Sequence, residues 1–239
     1  MMQTILLLAA ALLPAVLLWL YIWRKDPQKE PTRLLVKAVW YGIGICVPVA
    51  LLEAGLQEIL LGGEPTTLAG TTIMAFGVAA LPEELFKLFA LWLILRRNPF
   101  FDEHFDGIVY AVSVGLGFAA MENIGYLIEG GDEWIGTAIA RALLAVPGHY
   151  AFAVLMGYYY SIYHFVDHSL RTKISILLVP VVAHGIYDAL AMSGMVNETV
   201  GSFAFLLLIY FCIKMHKFAY RKMIAQVKRS KEGINPERV

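Results

Sequence analysis

Long apolar runs separated by short polar stretches divide this chain from end to end: residues 3–23, 34–61, 68–95, 106–128, 135–166, 174–195 and 200–217. A helix needs about 20 apolar residues to cross the hydrocarbon core of a bilayer, so each run predicts a membrane span. The fifth run, as one straight helix, would be roughly 48 Å long and would overshoot that core. Pro147-Gly148 breaks it near its middle. That break predicts one span kinked at Pro147, with an interfacial helix followed by a span as the alternative. Counted as one kinked span, the pattern predicts an all-α polytopic transmembrane bundle of about seven spans.

The polar connections sort by charge. Arg24, Lys25, Lys29 and Arg33 follow the first run, Arg96 and Arg97 the third, and Arg171 and Lys173 the fifth. The tail adds Lys214, Lys217, Arg221, Lys222, Lys228, Arg229, Lys231 and Arg238. The alternate connections carry only acids: Glu64, then Glu129, Asp132 and Glu133, then Glu198. Basic residues stay on the cytoplasmic side of a membrane. The N-terminus is therefore expected outside and the C-terminus in the cytoplasm, in the cell (inner) membrane. Lys87 and Arg141 are the exceptions, and Arg141 is read as reaching water at an interfacial helix. The first run lacks a basic leader and is too long for a signal-peptide core, so it reads as a retained helix. Residues 218–239 read as a solvated, lipid-facing basic tail, and 1–239 as a single integral membrane domain.

Composition agrees, with 59% hydrophobic and 16% charged residues. Net charge is zero, which gives no reason to expect a nucleic-acid partner. Cys46 and Cys212 are too few for a disulfide framework and lack metal-ligand spacing.

The chemistry lies in polar residues buried at depth. The third run holds Glu83, Glu84 and Lys87, with Lys87 at i+4 and i+3 from the two acids. Charged groups in hydrocarbon cost several kcal/mol unless they find partners, and one lysine answers only one acid. In the fourth run Glu122 shares a helical stripe with Gly115, Phe118 and Gly125, and Asn123 follows it. His149 stands directly after the Pro147-Gly148 break, and His184 and Asp188 face one way at i,i+4 in the sixth run. At about 1.5 Å per residue, Glu83 and Glu84 sit roughly 18–20 Å from the basic side, Glu122 near 24 Å, His184 and Asp188 near 17–23 Å, and His149 near 27 Å. Four helices thus bring polar groups to one slab of the membrane.

Four carboxylates there face one ammonium and two imidazoles. A bundle gains no stability from such an excess. Protonated acids, charged histidines or a metal ion would each resolve it, and each marks a functional site. Other polar groups read more plainly. His164 and His168 form an interfacial face, Glu53 and Glu58 approach water at the outer end of the second run, and Asp102, Glu103 and Asp106 make a solvated acidic turn. A buried carboxylate beside another acid can take a proton from water and return it to a leaving group. Imidazoles opposite can stabilise a developing oxyanion. No Ser or Cys joins the cluster, which favours hydrolysis by activated water over a covalent nucleophile. A proton- or cation-coupled transporter and a non-catalytic scaffold are the competing classes.

The motifs resemble those of a known family. Glu83-Glu84-Leu85-Phe86-Lys87 matches EExxK, Phe118 to Asn123 matches FxxxEN, His149 matches a lone histidine motif, and His184 to Asp188 matches HxxxD. In this order on separate spans, over roughly residues 70–195, they resemble the PrsW family of bacterial intramembrane proteases, related to the CAAX-prenyl-protease-like (CPBP) membrane proteins. Asp106-Gly107-Ile108-Val109-Tyr110 is also similar to that family. The resemblance implies a glutamate-dependent endopeptidase of the membrane, with its catalytic core at about 68–195. Its partner would be a single-span membrane protein such as an anti-sigma factor, cut in a site-1 type cleavage within the lipid bilayer. Glu83 would be the base on water and Glu84 would order the site against Lys87. His184 and Asp188 would orient the carbonyl or oxyanion, and Glu122 would hold the water or its proton. His149 completes the catalytic set, with Lys87, Phe118 and Asn123 in support. In the CPBP relatives the Glu122 position is usually histidine and the Asp188 position often asparagine, so this chain is more acidic. No cofactor is expected. A divalent metal stays open, with Glu83, Glu122, His184 and Asp188 as its ligands.

Overall fold

Each apolar run is helical in the computed structural model, which describes residues 2–233. In chain order the helices are α1 (Met2–Lys25), α2 (Thr32–Leu61), α3 (Leu68–Ile73), α4 (Leu81–Leu95), α5 (Asp106–Glu129), α6 (Trp134–Ala140), α7 (Val146–Phe165), α8 (Leu170–Met192) and α9 (Glu198–Gly233). No strand occurs among the described residues. Six helical runs are long and apolar enough to cross a membrane: α1, α2, α5, the run through α6 and α7, α8 and α9. A seventh run is helical without a break from α3 to α4. Glu83, Glu84 and Lys87 interrupt its apolar stretch, so the chemistry itself hides this helix from a hydropathy test. The chain is a multi-pass membrane helix bundle.

Two of these runs share a local device. Between α3 and α4 the backbone widens into π-helix over Met74–Ala80, and between α6 and α7 it does so over Arg141–Ala145. Leu81 N–H donates to Phe76 O, and Val146 N–H to Arg141 O, each a step of five residues. Pro82 and Pro147 follow directly. A proline removes one N–H and its ring crowds the carbonyl four residues back, and a wider turn accommodates both defects without ending the helix. The sequence predicted a kink at Pro147. The structure resolves the alternatives as one continuous helical run through α6 and α7, with its irregularity just before the proline.

α5 is the centre of the bundle. Every residue from Asp106 to Ala119 is buried, which requires close approach by the neighbouring backbones. At Gly42 on α2, an added Cβ would lie 2.0 Å from Val114 O of α5. α1 is tied on by polar contacts: Trp19 Nε1 donates to Ser113 Oγ and Asn123 Nδ2 to Ala11 O, both at 3.0 Å.

The basic tail departs from expectation. α9 continues to Gly233, and Ala219, Met223, Gln226 and Ser230 recur at helical spacing on a buried face. Ser230 Oγ accepts from Phe105 N–H at 3.0 Å, which pins the helix to the α4–α5 connection. The tail is therefore packed on one side rather than wholly solvated. Its last residues, 234–239, lie outside the described residues.

A matched pair of substitutions on α2 tests the α2–α5 contact. Gly44 has nothing within 4 Å of an added Cβ. Gly42→Ala is expected to destabilise the protein by about 1–3 kcal/mol through overpacking, whereas Gly44→Ala leaves it unchanged or slightly more stable. Thermal unfolding of the purified protein in detergent reads the difference.

Candidate functional site

The first turn of α4 supplies the organising group. Pro82 sets the start of the helix, and the helical spacing then places Lys87 below both acids. Lys87 Nζ donates to Glu83 Oε2 at 2.8 Å and to Glu84 Oε1 at 2.9 Å. It also approaches His149 Nδ1 of α7 at 3.1 Å and lies 4.2 Å from the ring centroid of Phe118 on α5. Glu83, Glu84 and Lys87 are all buried. A single ammonium thus meets two carboxylates, an imidazole and an aromatic face from three helices.

The remaining predicted residues close around this centre. His184 Nδ1 of α8 lies 3.0 Å from Glu84 Oε1, and its Nε2 lies 3.2 Å from Asp188 Oδ2. His149 Nε2 lies 2.9 Å from Glu122 Oε2. The two imidazoles pack edge to face with centroids 5.2 Å apart, and Phe152 stacks on His184 at 4.6 Å. Glu83, Glu84, Glu122, His149, His184 and Asp188, with Lys87, Phe118 and Asn123, therefore form one contiguous constellation.

The partners dictate where hydrogens sit. An ammonium only donates, so His149 Nδ1 accepts from Lys87 and its Nε2–H donates to Glu122. His184 has a carboxylate at each nitrogen, and hydrogens on both, the charged form, satisfy both bonds.

Two participants escaped the sequence reading. Arg141, expected in water, donates through Nη2 to Glu122 Oε2 at 2.6 Å and through Nε to Asn123 Oδ1. Its guanidinium also lies 4.0 Å from the Tyr126 ring centroid. With Lys87 it was one of two basic residues outside the charge pattern of the connections, and the acid excess was the signal that it was needed. Glu53 of α2 was expected to reach water. Instead it lines the cavity described next, with a buried Oε1 that has no hydrogen-bond partner. Gly125, at the end of the small-residue stripe, has open space where its Cβ would be and also lines that cavity, while Gly115 is tight against Ala153.

The cavity measures about 680 Å³ and is bounded by α2, the α3–α4 run, α5, α7, α8 and α9. Glu83, Glu122, His149, His184 and Asp188 line it, and Glu84 does not. Val47, Met195 and Phe205, which also line it, are exposed.

Donor types at the centre fit a divalent ion. One ligand atom from each of Glu83, Glu84, His149 and His184 lies within 4.8 Å of the others. Carboxylates with imidazoles make a familiar zinc donor set. Glu84 Oε2 is buried without a hydrogen-bond partner. In this arrangement Lys87 Nζ already joins Glu83, Glu84 and His149, so an ion on these donors would have to displace it. The group differs in two members from the set read from sequence. Glu122 and Asp188 bond instead to the outer nitrogens of His149 and His184, where such partners orient imidazole ligands.

Comparison with known proteins now bears on this geometry. The family described as "PrsW family intramembrane metalloprotease" matches residues 30–215. The chain is similar to "Protease PrsW" of Geobacillus kaustophilus (strain HTA426), with 36% identity over 78% of this chain and 80% of the relative. It is 35% identical to "Protease PrsW" of Bacillus subtilis (strain 168), over 76% of this chain and 81% of the relative. "Protease PrsW" of Clostridioides difficile (strain 630) is 30% identical over 93% of this chain and 92% of the relative. No solved structure matches the chain.

Removing the central ammonium is expected to expose the cost of the buried acids. Lys87→Met should lower stability by about 3–5 kcal/mol, the range for stranding buried charges. Adding Glu83→Gln and Glu84→Gln to that variant should restore much of the loss. Denaturant or thermal unfolding in detergent measures both, and equal stability of the single and triple variants would contradict the ion cluster as described.

Proposed function

The chain belongs to the PrsW family of intramembrane proteases, and from that membership we propose that it cleaves single-span membrane proteins of the anti-sigma-factor kind with a water activated by Glu83. It is a peptidase of the cell membrane, embedded by several spans. The observation that carries the finer reading is the asymmetry of the paired acids. Glu83 lines the cavity and accepts a hydrogen bond from Lys87 alone, while Glu84 is fully buried and bonded to both Lys87 and His184.

A transmembrane segment entering laterally, past Val47, Met195 and Phe205, would have to unwind locally to present a peptide bond inside the cavity. Glu83 then removes a proton from a water that attacks the carbonyl carbon. The C–N bond breaks, and the same proton passes to the departing amine. Lys87 pairs with Glu83 and aims it, and Glu84 fixes Lys87 and His184 from behind. His184, charged and set by Glu84 and Asp188, places positive charge near the carbonyl oxygen as it becomes an oxyanion, and His149 links Lys87 to Glu122. Arg141 keeps Glu122 in place as the holder of the water.

A metal-dependent form of the same protease is the second reading, favoured by the convergence of four donors and by the family's description as a metalloprotease. An ion held by Glu83, Glu84, His149 and His184 would polarise a carbonyl and acidify a bound water.

Cleavage of a single-span substrate in liposomes tests the base. Glu83→Gln should reduce the rate by about 10²–10⁴-fold, the usual contribution of general base catalysis, with the unfolding temperature little changed. Glu84→Gln should lower both rate and stability. A Glu83→Gln protein that cleaves at the wild-type rate removes the proposed base. Metal content together with chelator treatment separates the two forms. Full activity in protein free of bound metal sinks the metal-dependent form, and loss restored by zinc sinks the metal-free one.

A further inference from the structure

A second group of buried acids lies at the end of the bundle where the lysines and arginines gather, far along α5 from Glu122. Asp102, Glu103 and Asp106 were read from sequence as a solvated turn. Instead Glu103 and Asp106 are buried, and Asp26 and Glu30 of the α1–α2 connection are buried with them. One carboxylate oxygen from each of Asp26, Glu103 and Asp106 lies within 4.8 Å of the others.

The donors around them satisfy only part of the group. Asp26 accepts from the N–H groups of Gln28 and Glu30 at 3.2 and 3.3 Å. Asp106 Oδ2 accepts from the N–H groups of Asp102 and Glu103 at 3.0 and 2.8 Å. Glu103 Oε2 accepts from Gln28 Nε2 at 3.2 Å, and Glu30 Oε2 from the Tyr110 hydroxyl. Asp106 Oδ1 and Glu103 Oε1 are buried with no donor at all, on residues exposed by 0% and 7%. No ion pair to Lys or Arg reaches any of the four acids among the described residues. The neighbouring ammonium of Lys29 is spent on the carbonyls of Trp23 and Asp26. Two orphaned carboxylate oxygens within a ring of acids call for a positive charge that the side chains do not provide.

We propose that Asp26, Glu103 and Asp106, with Glu30 beside them, bind an oxygen-preferring divalent cation such as calcium or magnesium. All the donors are hard oxygens with no sulfur or imidazole among them, which selects such ions over zinc. The ion would join the α1–α2 connection to the start of α5. That helix also carries Phe118, Glu122 and Asn123, so the clamp would fix its position under the catalytic constellation.

The test uses full-length protein purified in detergent, stripped with chelator, and titrated with calcium or magnesium while thermal unfolding is followed. The expected result is a saturable rise in Tm on the order of 5 °C. Asp106→Asn and Glu103→Gln should each abolish the rise, and either suffices if the other fails to fold. Glu83→Gln should keep it, which separates this site from the donors around Lys87. No rise in the wild type, or a rise undiminished in the acidic-cluster variants, overturns the proposal. So does stabilisation by acidification alone without any response to cations, which would mean that protons fill the role.

Discussion

Keeping charge in the middle of a membrane is the constraint from which this structure follows. Glu83 and Glu84 cannot be buried singly in a low-dielectric bundle, and Lys87 on the same helix compensates one of them only. The second compensation has to come from other helices, and it does so as a chain: Lys87 to His149, His149 to Glu122, Glu122 to Arg141, and from Glu84 to His184 and on to Asp188. Each link uses up a polar group that would otherwise be orphaned. With His184 charged, three cations face the four acids of the inner set, and one negative charge is left over beside the cavity.

Bringing those groups to one point requires helices that are not ideal. Glu83 and His149 each follow a proline that is itself preceded by a π-helical turn. An inserted residue rotates the following helix relative to the preceding one, so the functional side chain is turned inward without breaking the span. The same turn is tied to α9, since Pro147 O accepts from His216 Nε2 at 3.0 Å. Close packing completes the placement. α5 presents backbone to α2 at Val114 because Gly42 faces it, and the aromatic wall of Phe118 can then reach Lys87.

Much of this could be read from residue order. Helical spans follow from run length, and the depth of each polar residue follows from rise per residue, which is why EExxK, FxxxEN, the lone histidine and HxxxD were expected in one slab and are found in contact. The failures have a common physical origin. Depth gives height and not azimuth, so Glu53 was assigned to water although its helix turns it into the cavity. Arg141 was assigned to water because a lone arginine in an apolar run is costly, yet Glu122 and Asn123 lower that cost. The turn at Asp102, Glu103 and Asp106 and the tail of α9 were read as solvated because their composition is polar. Contacts between connections, such as Ser230 with Phe105 or Gln28 with Glu103, are long in sequence and leave no periodic trace.

Lys87 also occupies the point where positive charge is needed. Its ammonium stands at the convergence of Glu83, Glu84 and His149, the point that a divalent ion would share with His184. A cation of some kind is obligatory there, because two carboxylates cannot remain ionised side by side in the bundle without one. What distinguishes the alternatives is only which cation is closest to the attacking water. With the ammonium in place, the positive charge is carried on a flexible four-carbon stem from α4, and Glu83 keeps its lone pairs available for a proton. With an ion in place, the same carboxylate would serve as one of its ligands. Glu122, tethered by Arg141, lines the cavity beside His149.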